Sequence, residues 1–164
     1  MEFIHYVDSP LGTILLAGEE DALTGLWFEG QQHYAQTLVR PAAEKYLPVF
    51  SQAEDWLSIY FSGKDPGFLP RLAPKGTPFQ KEVWDILLSV PFGRTTTYGE
   101  IAAVIADQRG LAAFPARAVG GAVGRNPISL IIPCHRVLGA RGELTGYAGG
   151  LQRKEALLRL EGAF

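Results

Sequence analysis

Between Gly63 and Gly76 the chain sets Pro66, Pro70 and Pro74 among glycines. No helix interior or central strand tolerates that spacing, because each proline lacks a backbone donor and crowds the turn before it. The stretch reads as a linker and divides the chain into residues 1–75 and residues 76–164. Ahead of it, Phe3 to Val7, Thr13 to Ala17 and Leu23 to Phe28 are β-rich runs parted by the turn signals Ser9-Pro10-Leu11-Gly12 and Gly18-Glu19-Glu20-Asp21. They predict a small antiparallel sheet. Ala53, Trp56, Leu57, Tyr60 and Phe61 then fall at helical spacing, which predicts a helix over Val49 to Phe61.

Behind the linker the pattern turns helical. Thr77-Pro78-Phe79-Gln80 supplies an N-cap, a proline at the first helical position and a capping-box glutamine, and Phe79, Val83, Ile86 and Leu87 mark one face. Pro91-Phe92-Gly93 stops that helix, Tyr98 to Ile105 begins a second, and Pro115 opens a third. The third has two unlike sides. Ala116, Val119, Gly120 and Val123 group on one, while Arg117, Ala118, Gly121, Ala122 and Arg125 group on the other, nearly bare between two arginines. Glycine within a helix costs about 1 kcal/mol against alanine, so either a neighbouring helix or an outside partner must come close there. Short helix, loop and small-faced helix together read as a helix-turn-helix. The fold class expected is therefore α+β: a small N-terminal sheet-and-helix domain, then a mostly helical domain with a winged-helix-like DNA-binding element.

Charge follows the same division. The formal net charge is only -2, yet residues 1–70 hold three Lys or Arg against ten Asp or Glu, and residues 71–164 hold twelve against seven. A basic half beside an acidic one points toward a polyanionic partner, nucleic acid first. The apolar runs fall short of the roughly 20 residues that a membrane span needs, and a soluble, cytoplasmic protein is expected. Three scattered histidines, His5, His33 and His135, offer no metal-ligand spacing, so no metal is expected.

The only cysteine, Cys134, stands in Ile131-Ile132-Pro133-Cys134-His135-Arg136-Val137. One cysteine cannot form an internal disulfide, and an adjacent imidazole and guanidinium favour the thiolate, which is the nucleophilic form. Ile128 to Ile132 reads as a buried extended segment, ended by Pro133, so the thiol would lie at the lip of the core. A small buried cysteine beside a histidine carries the same pattern, and adjacency alone leaves both readings open. Glu161 shares an apolar stripe with Leu157 and Leu158 on a helix starting at Leu151, where a carboxylate needs a partner.

Pro133-Cys134-His135-Arg136-Val137, Arg117-Ala118-Val119-Gly120-Gly121-Ala122, Asn126-Pro127 and Tyr147-Ala148-Gly149-Gly150-Leu151 stand in the order and near the spacing of the O6-alkylguanine-DNA alkyltransferases, and the chain resembles that family. The resemblance covers Gly76 to Gly162 strongly and the first 75 residues in outline. It implies a methylated-DNA-[protein]-cysteine S-methyltransferase, used once, that flips an O6-alkylated guanine out of double-stranded DNA and moves the alkyl group to Cys134 without a cofactor. In the catalytic group it implies His135 as base, Glu161 as its orienter, Asn126 fixing the turn before the thiol, and Tyr98 helping to rotate and hydrogen-bond the base. Arg117 would enter the vacated stack, and Ala118, Gly121, Ala122 and Arg125 would line a largely sequence-independent minor-groove contact. Val137, Tyr147, Ala148 and Gly149 would form the pocket. Ala148 stands where some relatives carry serine; the backbone donor survives there and a hydroxyl contact does not. A monomer is expected, with cooperative binding along DNA left open. A cysteine hydrolase built on Cys134, His135 and Glu161, a lesion-binding module and a plain transcription regulator are the alternatives.

Overall fold

In the computed structural model, which describes residues 1–164, the first strands follow the expected meander. Strands β1 (Phe3–Val7), β2 (Ile14–Glu19) and β3 (Ala22–Phe28) pair antiparallel, Phe3 opposite Gly18 and Ile14 opposite Phe28. β3 is buried along its whole length because both faces are covered. One face meets helix α1 (Pro48–Phe61), which contributes Val49, Phe50, Ala53, Trp56, Leu57 and Tyr60. Leu15, Ala17 and Trp27 pack with Ala35 and Leu38 in a separate cluster. A short β4 (Ala43–Glu44) runs parallel to β1, a pairing too brief to leave a sequence signal.

Contacts cluster into two units, Met1–Lys75 with Pro127–Ile131, and Gly76–Asn126 with Ile132–Phe164. The proline-rich stretch is partly ordered by the sheet. The Arg71 carbonyl accepts from the Leu23 N–H and the Ala73 N–H donates to the Leu23 carbonyl, so the bonding residues are those that the prolines flank. Pro127 and Ser129 do the same for Leu26. The expected extended segment over Ile128 to Ile132 is buried but not extended. Ile128 makes one bridge to Leu26, and the chain then turns with Leu130 at φ 75°, a left-handed conformation that bulky residues rarely adopt.

In the second unit, α2 (Pro78–Leu88) starts on the full reciprocal capping box of Thr77 and Gln80. The strand pair β5 (Thr96–Thr97) and β6 (Val137–Leu138) is parallel, and Thr97 caps α3 (Tyr98–Gln108) by accepting from the Glu100 N–H. α4 (Ala116–Gly124) and α5 (Leu151–Leu160) complete the unit. Its core gathers Val83, Trp84, Leu87, Ile101, Ile105, Val119, Val123, Leu157 and Leu158. The Trp84 indole N–H donates to the Ala122 carbonyl at 2.9 Å, which ties α4 to α2. The architecture is α+β. No helix is long and apolar enough to cross a membrane.

Candidate active site

Pro133 ends the bend, and Cys134–Arg136 form one 3-10 turn leading into β6. Because β6 pairs with β5, the residue that follows β5, Tyr98, is brought to the same place as the thiol. The Asn126 side-chain amide donates to the Ile132 carbonyl at 2.8 Å and so pins the bend from its other end. Cys134 is 4% exposed. Burial pushes its thiol up, opposed by the Asn126 amide, the Lys154 charge and the N–H groups of Cys134 and His135. This corrects the expectation that its neighbours favour the thiolate: desolvation of a negative charge outweighs them, and the resting group is a thiol.

His135 is fully buried, with Nε2 2.6 Å from Glu161 Oε2. Burial pushes the imidazole down, Glu161 pulls it up, and Arg136 and Lys154 push it down further. The net result is a neutral ring near pH 7, in which Nε2–H donates to Glu161 and Nδ1 carries the lone pair. Glu161, the C-cap of α5, is the hub. Its Oε1 accepts from Arg136 Nε at 2.8 Å and from the Gly93 N–H at 3.0 Å, and its Oε2 accepts from Arg136 Nη2 at 3.1 Å as well as from His135. Burial raises this carboxyl, but His135 and Arg136 outweigh burial and bring it down to about 2. Gly93 can come this close because it takes φ 81°, and a Cβ there would lie 3.1 Å from the Glu161 carbonyl.

Lys154 has no exposed surface. Its ammonium donates to the carbonyls of Val137 (2.5 Å), Thr145 (2.6 Å) and Gly146 (3.1 Å), fastening the segment before α5 to β6. Burial pushes it down to about 8, against the pull of Cys134. The Tyr98 hydroxyl reaches the Thr145 carbonyl at 3.5 Å. Tyr147 lies edge-on to His135 with centroids 6.4 Å apart, its hydroxyl is buried, and its ring occupies the space that a Cβ on Gly149 would need, which explains that glycine. Val137 is buried and Ala148 half-buried. No three His, Cys, Asp or Glu side chains gather as a metal site.

On α4, Arg117, Ala118, Gly121 and Arg125 are exposed. A Cβ on Gly121 or Gly124 would meet nothing within 4 Å, so packing inside the protein does not require glycine at either position. Ala122 departs from the sequence reading. It is 4% exposed and turned toward α2, because its turn of helix carries the carbonyl that Trp84 holds. The loop between α3 and α4 is held by Arg109, whose guanidinium lies over Phe79 and Phe114 and pairs with Glu82 at 2.6 Å.

Two family profiles match the chain: 6-O-methylguanine DNA methyltransferase, DNA binding domain, over residues 78–163, and the ribonuclease-like domain of the same name over residues 3–72. The chain belongs to the 6-O-methylguanine DNA methyltransferase family. It is 48% identical over 163 residues to the methylated-DNA–protein-cysteine methyltransferase of Mycobacterium tuberculosis, covering 96% of this chain and 92% of the relative. To that of Methanosarcina acetivorans it is 46% identical over 157 residues, covering 95% and 96%. The crystal structure of the Mycobacterium tuberculosis protein in complex with DNA superposes with a TM-score of 0.83 at 46% identity, over 98% of this chain and 93% of that one.

Within this methyltransferase fold the structure brings together Cys134, His135, Glu161, Asn126 and Tyr98, and it leaves Arg117, Ala118, Gly121 and Arg125 on the open face of α4. Sequence reasoning missed Lys154. Arg136 is 7% exposed and spends its donors inside the protein. A signal for Lys154 did exist. It precedes Leu157, Leu158 and Glu161 by three, four and seven residues, which places it on the same buried stripe of α5.

Proposed function

We propose that this chain repairs DNA by taking the alkyl group of an O6-alkylguanine onto Cys134, once per molecule. The observation that carries the reading is the chain of buried groups from Glu161 through His135 to the residue beside it, Cys134, under a fold whose α4 presents a bare, arginine-flanked face. Cys134 rests as a thiol and His135 as a neutral base. His135 takes the thiol proton through a water while the sulfur attacks the alkyl carbon. The sulfur–carbon bond forms, the carbon–O6 bond breaks, and its electron pair leaves with guanine, to whose ring the Tyr98 hydroxyl donates a hydrogen bond. Regenerating the thiol would require a second nucleophile to displace the Cys134 thiolate, a poor leaving group, from the alkyl carbon, so the reaction stops there.

Reaching that carbon requires the nucleotide to leave the stack at a cost of a few kcal/mol, lowered where alkylation has weakened pairing. Arg117 fills the vacancy, while Ala118, Gly121 and Arg125 lie against the minor groove and its phosphates. Val137, Tyr147, Ala148 and Gly149 wall the pocket, with the Ala148 N–H directed to O6. The Val137 carbonyl already accepts from Lys154, and its second lone pair is the one left for the guanine amino group. The protein acts as a monomer on largely sequence-independent sites, with affinity falling as salt rises. A reducing cytoplasm suits a chain that works through one reduced thiol.

Incubating the protein with duplex DNA containing O6-methylguanine tests this. Lesions should disappear in a one-to-one ratio with protein and then stop, and Cys134→Ser should bind the duplex without removing any. Continued turnover, or undiminished removal by Cys134→Ser, overturns the reading.

A further inference from the structure

Arg136 follows the proposed base directly, yet it cannot serve DNA. Nε and Nη2 grip Glu161 at 2.8 and 3.1 Å, Nη1 donates to the Val90 carbonyl at 2.7 Å, and the Phe92 ring centroid lies 5.9 Å from its Cζ. The carboxylate in this fork is the one that His135 Nε2 contacts. One buried carboxylate thus stands between a guanidinium and an imidazole.

We infer that Arg136 is a positioning residue for His135: its two-point grip fixes the plane of the Glu161 carboxylate and offsets its charge, so that the imidazole is oriented for Cys134 without being held as the imidazolium. The inference rests on the reading of His135 as the base. A lone carboxylate 2.6 Å from a buried histidine would favour the protonated ring, and a protonated ring cannot accept the thiol proton. The guanidinium works against that bias at the same oxygens. The fork also fixes direction, since a planar guanidinium binding both oxygens leaves the carboxylate no freedom to rotate away from Nε2. The other groups facing His135 are Lys154 from α5, which adds to the effect of Arg136, Cys134 beside it, and Tyr147 edge-on. Near the carboxylate, Gly93 supplies only a neutral N–H.

The test is the rate of methyl transfer from O6-methylguanine duplex as a function of pH for the native chain, Arg136→Gln and Arg136→Lys. The native profile should fall on its acid side as His135 protonates. Arg136→Gln should move that limb toward higher pH by about one unit, a tenfold loss of rate on its acid side. Arg136→Lys keeps the charge but not the fork, and should hold the limb in place while lowering the plateau. A limb unmoved in Arg136→Gln, with loss of rate equal at every pH, overturns the inference and leaves the alkyl-transfer reading intact; absence of transfer by the native chain overturns that reading instead. Should Arg136→Gln fail to fold, nitrogen NMR of the His135 ring in the native chain decides. A neutral ring protonated at Nε2 around neutral pH supports the inference, and an imidazolium or an Nδ1–H ring there refutes it.

Discussion

Replacing Glu161 by glutamine should cost the fold about 3 kcal/mol at neutral pH, and the cost should fade in acid. The carboxyl has an ordinary value of 4.5 and is brought down to about 2 in the folded chain, a difference worth about 3 kcal/mol at roughly 1.4 kcal/mol per unit. Its side chain has no exposed surface, so solvent does little to screen that interaction. The sign follows from proton binding. Between the folded and unfolded values the unfolded chain binds the extra proton, so Glu161 contributes its full stability above pH 4.5 and loses it as pH falls toward 2. The glutamine side chain keeps the shape but strands the buried Arg136 guanidinium without its counter-charge, a loss of the same order as breaking a buried ion pair, about 3–5 kcal/mol. The assay is urea unfolding of the native chain and Glu161→Gln at a series of pH values, which cancels the other carboxylates by difference. A gap below about 1 kcal/mol at neutral pH, the size of an exposed pair, or a gap that does not narrow in acid, would refute the argument.

Lys154 has a pH signature of the same sign in an alkaline window, for the opposite reason: burial disfavours its charged form. It releases its proton at about 8 when folded and at the ordinary 10.5 when unfolded, so the unfolded chain holds the extra proton in that window and native stability should rise through it relative to Lys154→Met; parallel pH curves for the two proteins would contradict this. If Arg117 fills the stack as proposed, Arg117→Ala should slow transfer from duplex DNA by about tenfold or more while changing affinity less, because unstacking a nucleotide costs a few kcal/mol. Equal losses in rate and affinity, read from single-turnover kinetics and titration, would make Arg117 a phosphate contact.

Much of this molecule is legible in its sequence wherever local chemistry decides the outcome. The Thr77–Gln80 box fixes the start of α2 because both reciprocal bonds lie within one turn. Glu161 declared itself as a carboxylate on an apolar stripe, and its partners proved to be His135 and Arg136. What stayed hidden depends on distant backbone. Lys154 stands on the buried stripe of α5, but nothing near it in the sequence announces the carbonyls of Val137, Thr145 and Gly146 that receive its ammonium. Ala122 looks like part of a bare outer face until Trp84, far back in α2, claims its carbonyl. The bend at Leu130 escaped because an apolar run fits a buried strand and a buried turn equally well. The ionisation of Cys134 was misjudged for a related reason: neighbouring charges are visible in a sequence, whereas the depth of burial that opposes them is not.

Exposing the protein to duplex DNA carrying isotope-labelled O6-methylguanine, then mapping the label by peptide mass spectrometry, asks whether the Cys134 sulfur itself accepts the alkyl group. A single methyl on the peptide containing Cys134, at a ratio of one per chain, is the predicted result. Label elsewhere, or an unmodified Cys134 after the lesion has gone, would contradict it.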